Sequence, residues 1–221
     1  MPTPLEKVTV KICGLTSAEA ADAAARAGAE YGGLVFHPAS PRNLTLAQAR
    51  ALSAAMRGRL KRVALVADRN DAELAAIVAA AEPDFLQLHG NESVARTAEI
   101  RARFGKPVIK ALPVSDGDSL KVAADYAAVA DMLLFDAQAP REALRAGGYG
   151  MAFDWTVLAG HSFSKPWFLA GGLNPGNVAR AVTLCDAAMV DVSSGVESAP
   201  GIKSAERIAQ FISVLRQPVQ V

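Results

Sequence analysis

The chain has 221 residues, 51% of them hydrophobic and 20% charged, with a formal net charge of +1. That length and composition exclude disorder and suffice to bury a full core. The near-neutral balance, with no Lys/Arg cluster, gives no electrostatic footprint for nucleic acid or an anionic membrane, so a small-molecule partner is expected. The N-terminal MPTPLEK lacks the apolar core of a signal peptide, and no apolar run approaches the roughly 18 residues of a spanning helix, so a cytoplasmic location is expected. Two cysteines, Cys13 and Cys185, read as free thiols.

In chain order, short apolar runs rich in β-branched residues alternate with Ala-rich amphipathic segments. The runs are Val8–Cys13, Tyr31–Phe36, Arg62–Ala67, Phe85–His89, Val108–Leu112, Met132–Asp136, Trp167–Ala170 and Ala188–Ser193. Near-continuous hydrophobicity marks strands buried on both faces of a parallel sheet. Between them, Leu74, Ile77, Val78 and Ala81, and later Ile208, Phe211, Ile212 and Leu215, fall at helical spacing. Eight strand–helix units with no dividing linker predict an α/β fold, a single (β/α)8 barrel domain over residues 1–221. An open doubly wound sheet is the structural alternative. Thr16, three residues before Glu19, has the spacing of a capping box for the first helix.

In such a barrel, function sits where the strands end. Cys13 stands there after the first strand, before Gly14. Asp136 ends the sixth strand ahead of residues 137–152, which contain Pro140 and Gly147, Gly148 and Gly150 and have no helical periodicity, so it is better placed for acid or base work than for capping. Asp154 reads as a helix cap. Gly171 and Gly172 after strand seven, and Ser193, Ser194 and Gly195 after strand eight, place small residues side by side, as barrels that bind phosphate do; residues 193–201 have room for a short extra helical turn. Arg42 could hold a carboxylate in bidentate fashion, although a surface arginine is the ordinary reading. His89 points into the mouth if Gln87 points inward, while His37 and His161 lack supporting neighbours; no metal-ligand spacing occurs, and no metal is expected. Cys185 reads as packing. Alternation puts Lys11 beneath Cys13 on the interior face, and Asp191 on matching parity in the closing strand. An ion pair between them is expected, its positive charge favouring the Cys13 thiolate.

Taken together, KICGLT at 11–16, GLVF at 33–36 with SPR at 40–42, QLHG at 87–90, FDA at 135–137, GGYG at 147–150 with FDW at 153–155, AGGL at 170–173 and DVSSGVE at 191–197 make the chain resemble the phosphoribosylanthranilate isomerases along its whole length. The resemblance implies a cofactor-free (β/α)8 isomerase of tryptophan biosynthesis that turns N-(5-phosphoribosyl)anthranilate into 1-(2-carboxyphenylamino)-1-deoxyribulose 5-phosphate. It implies Cys13 as general base, Asp136 as general acid, Arg42 on the anthranilate carboxylate and the loops of strands seven and eight on the phosphate. Tyr149 departs from the small or polar residue usual in that family, and carries no assigned role. Rival readings are another phosphate-binding barrel enzyme, such as a sugar-phosphate isomerase or an indole-forming lyase, and a noncatalytic barrel that binds a phosphorylated metabolite. A monomer is the default for a chain with polar loops and little net charge.

Overall fold

The computed structural model describes residues 8–137 and 155–216. Eight parallel strands close into a barrel in sequence order: β1 (Thr9–Ile12), β2 (Tyr31–Phe36), β3 (Lys61–Val66), β4 (Phe85–Leu88), β5 (Val108–Val114), β6 (Met132–Ala137), β7 (Trp167–Ala170) and β8 (Met189–Val192). The expected (β/α)8 architecture is therefore present and the open sheet is excluded, because β1 pairs with β8 as well as with β2. The helices among the described residues are α1 (Ala18–Ala27), α2 (Leu46–Met56), α3 (Asp71–Ala81), α4 (Val94–Phe104), α5 (Ala123–Val129), α6 (Val178–Cys185) and α7 (Ala205–Arg216). Asp154, Tyr149 and residues 138–152 lie outside the described residues.

Strand alternation sorts the apolar side chains into two layers. Tyr31, Val63, Ile109, Ala111, Met132, Leu134, Phe168 and Ala170 pack along the barrel axis. The opposite parity, including Ile12, Leu34, Ala64, Leu86, Leu133, Leu169 and Val190, packs outward against the helices, where Leu74, Ile77 and Ala81 of α3 and Ile208, Phe211, Ile212 and Leu215 of α7 meet it. Strands therefore have no polar face, which is why they read as continuous apolar runs.

Two local expectations change. The first helix is capped by Ser17, whose side chain accepts from the Ala20 N–H, one residue later than the capping-box spacing suggests. Thr16 instead donates to the Gly201 carbonyl at 2.9 Å, tying the β1 loop to the loop after β8, because that tertiary acceptor lies within reach of its hydroxyl. The extra turn after β8 is present as a helical turn, Ser194–Val196, and is followed by a hairpin not foreseen, β9 (Glu197–Ala199) with β10 (Ile202–Lys203). That hairpin lies beside the mouth of the barrel and brings two charged side chains to it.

Candidate active site

A cleft of about 300 Å³ opens at the C-terminal ends of the strands. It is lined from β1 by Cys13, from β6 by Asp136, and between them by Gly171, Gly172, Ser193 and Ser194; Arg42, His89 and His37 complete the rim. The structure thus brings together every candidate named above except Gly195, which does not line the cleft. Gly195 instead sits hard against the Leu173 carbonyl, packing the β8 loop onto the β7 loop. His37, passed over in the sequence for want of neighbours, lines the cleft because it follows β2 directly on the parity of Tyr31 and Val35, so strand alternation carries it to the axis side.

Cys13 leaves the β1 ladder through a bond from its N–H to the Val192 carbonyl and is only 4% exposed. Gly33 on β2 makes room for it: a Cβ there would stand 2.9 Å from the thiol sulfur. Beneath it, Lys11 is fully buried and donates to Asp191 Oδ1 at 2.9 Å, as the register predicts, for these two residues are direct neighbours across the β1–β8 pair. Burial alone would depress the Lys11 ammonium, but Asp191 and Cys13 hold it above its ordinary pKa. For Cys13 the balance goes the other way from the expectation. Burial pushes the thiol up; Lys11 does pull it down, but Asp191 pushes it up again, and even with Lys203 assisting Lys11 the net is upward. Lys11 therefore lessens the cost of the thiolate without making it the resting form.

Arg42 is held from below. Its Nε and Nη2 donate to Glu197 at 2.6 and 2.7 Å, a bidentate pair that leaves the remaining N–H groups for a second planar acceptor. Gly14, at φ +73°, lets the Arg42 stem lie across the β1 loop, where any Cβ would collide with it. Lys203 Nζ, wholly buried, donates to Glu197 Oε1 at 2.6 Å and to the carbonyl and Oγ of Ser193, and Ser193 Oγ donates to the Cys13 carbonyl. Burial disfavours the Glu197 charge, but Arg42 and Lys203 outweigh it and bring the carboxyl down to about 2. Burial leaves Lys203 below its ordinary pKa despite Glu197. Glu197 closes the DVSSGVE motif, yet nothing in the spacing says that it anchors Arg42, and Lys203 carried no signal at all.

Across the mouth, Asp136 and His89 are each about one-third exposed, with His89 Nε2 at 3.4 Å from Asp136 Oδ2. Gln87, inward on β4 as alternation requires, sets its amide nitrogen 3.0 Å from His89 Nδ1. The loop carrying His89 is pinned by a buried pair the sequence reading missed, Lys110 with Glu92 at 2.8 Å. Lys110 also donates to the Gly90 carbonyl, and Glu92 accepts from the N–H groups of Gly90 and Asp68. Cys185 is buried far from this chemistry, its thiol facing the Trp155 carbonyl and pushed by burial up to about 11, consistent with packing. No group of His, Cys, Asp or Glu among the described residues is arranged to hold a metal ion. None of the described helices is long and apolar enough to cross a membrane.

The chain as a whole is similar to known proteins. The family model for N-(5'phosphoribosyl)anthranilate (PRA) isomerase matches residues 10–214. An N-(5'-phosphoribosyl)anthranilate isomerase of Rhodopseudomonas palustris (strain BisA53) is 54% identical over 207 residues, covering 94% of this chain and 95% of that protein. The crystal structure of phosphoribosyl anthranilate isomerase from Thermotoga maritima superposes with a TM-score of 0.84 at 33% identity, over 94% of this chain and 98% of that one. A phosphoribosyl anthranilate isomerase in complex with reduced 1-(O-carboxyphenylamino)-1-deoxyribulose 5-phosphate superposes at 0.78 with 30% identity and the same coverage.

Proposed function

This chain belongs to the N-(5'-phosphoribosyl)anthranilate isomerase family, and we propose that Cys13 and Asp136 are the base and acid of its reaction. Membership sets aside the lyase, the other sugar-phosphate isomerases and the noncatalytic barrel. The observation that carries the assignment is that Cys13 and Asp136, from β1 and β6, line one cleft with the small-residue loops of β7 and β8.

Asp136 gives its proton to the ribose ring oxygen as the C1'–O bond breaks and the anilino nitrogen lone pair forms a C=N bond. Cys13, once its thiol has given its proton to solvent, takes the C2' proton as the thiolate; the C–H electrons become the C1'=C2' bond, the C=N electrons return to nitrogen, and the resulting enolamine tautomerises to the ketone. The outward edge of Arg42 takes the anthranilate carboxylate, while Gly171, Gly172, Ser193 and Ser194 surround the phosphate and Gly195 fixes the two loops against each other. Gripping both ends of the substrate holds the sugar between acid and base. The bound phosphorylated ligand of the relative described above supports a phosphorylated small molecule as the partner. No cofactor enters these steps. Because one chain supplies both residues, a monomer suffices, and the near-neutral net charge suits a cytoplasmic enzyme.

The test follows loss of anthranilate-substrate fluorescence. Cys13→Ser and Asp136→Asn are each expected to lower kcat by about 10²- to 10⁴-fold with little change in KM. Wild-type kcat in either variant overturns that residue's assignment. Light scattering on the eluting protein reads the monomer.

A further inference from the structure

Gln87 is fully buried inside the barrel, and its side chain has one polar contact among the described residues, the 3.0 Å approach of its amide nitrogen to His89 Nδ1. Its carbonyl oxygen Oε1 is buried with no partner. An orphaned buried amide oxygen destabilises a fold, and an apolar side chain of the same size would avoid it. The amide is therefore poorly explained as a structural element and better explained by the ring it touches.

An amide NH2 only donates, so the Nδ1 facing it must accept, and a neutral imidazole that accepts at Nδ1 carries its proton on Nε2. Nε2 is the atom 3.4 Å from Asp136 Oδ2. We propose that Gln87 is a positioning residue that locks the His89 imidazole in the Nε2-protonated tautomer, aiming a neutral N–H donor at the Asp136 carboxyl group. When Asp136 releases its proton, this donor stabilises the carboxylate left behind without adding a charge to the cleft, and it engages one oxygen so that the other faces the substrate. The buried Lys110–Glu92 pair pins the loop that carries the ring.

The proposal rests on Asp136 as the acid, but its first test involves no turnover. Long-range ¹⁵N–¹H spectra of the free protein, recorded well above the ordinary imidazole pKa of about 6.5 and assigned with a His89→Asn variant, are expected to show a bare Nδ1 and a protonated Nε2. A ring protonated at Nδ1 overturns the proposal, whereas failure of the acid assignment shows separately in Asp136→Asn. Replacement by Gln87→Leu is expected to lower kcat on the order of tenfold with KM within about twofold and Tm not reduced. Wild-type kcat, or a loss of kcat that comes only with a loss of Tm, overturns it. If Gln87→Leu does not fold, Gln87→Glu decides: its carboxylate accepts from Nδ1–H, so the tautomer is expected to switch and kcat to fall, and an unswitched ring overturns the idea.

Discussion

β1 and β5 stand across the barrel from each other, and each buries a lysine paired to a carboxylate, Lys11 with Asp191 and Lys110 with Glu92. The pairs have nearly the same geometry and opposite orientations. Lys11 faces the barrel axis and sits beneath Cys13, the proposed base, on which its charge acts. Lys110 has the other parity, passes over the Tyr126 ring in the helix layer, and acts on backbone, holding the loop that carries His89. A buried charge at a barrel mouth thus serves chemistry or architecture according to which face of the strand bears it.

The largest expected effect tests that contrast directly. Lys11→Met and Lys110→Met each leave a buried carboxylate uncompensated, and each is expected to cost about 3–5 kcal/mol in urea unfolding. They should part in thiol titration. Of the two, only Lys11→Met removes a charge that pulls the Cys13 thiol down, so only it is expected to raise the thiol pKa further and slow alkylation of Cys13. Equal thiol behaviour in both variants would erase the distinction.

Next in size is the proposed grip of Arg42 on the anthranilate carboxylate. Arg42→Lys keeps a charge but loses the planar fork, so KM is expected to rise on the order of tenfold, with kcat changed far less. A fall in kcat at constant KM would instead place Arg42 in the chemical step.

A smaller effect concerns acid. Glu197 is held at about 2, below its ordinary 4.5, so its contribution is fully present above 4.5 and is lost as pH falls through about 2. Glu197→Gln should therefore flatten the decline of the urea midpoint between those two values. An unchanged acid slope would mean that Arg42 and Lys203 do not hold that carboxylate charged. The smallest effect concerns the first helix, where Ser17→Ala is expected to cost about 1 kcal/mol as loss of an N-cap. Thr16→Ala should instead loosen the tie to Gly201 without unwinding α1, as amide exchange in the first turn would show.

The placement of the candidate acid and base was readable in the chain because each ends an apolar run: a strand that stops at Cys13 or Asp136 must present that side chain at the barrel mouth, and both line the cleft. Lys11 with Asp191 was equally readable, since alternation fixes which side of a strand faces the axis and closure fixes which strand lies next to β1. Residues whose partners come from loops were not. Glu197 beneath Arg42, Lys203 beneath Ser193, and Glu92 beside Lys110 meet across turns whose path has no period. That Gln87 points inward entered the sequence reading only as a condition on His89, and its contact with His89 and its orphaned oxygen depend on ring and amide positions that only packing sets.

By itself, then, the sequence determined the barrel, the end of the barrel where chemistry occurs, and the acid and base candidates, because strand period and hydrophobic continuity are local properties of the chain. The tertiary structure decided the electrostatics. Whether Lys11 makes Cys13 a resting thiolate depended on burial against charge, and burial, a property of everything packed around the thiol, together with the Asp191 charge outweighed Lys11 and Lys203.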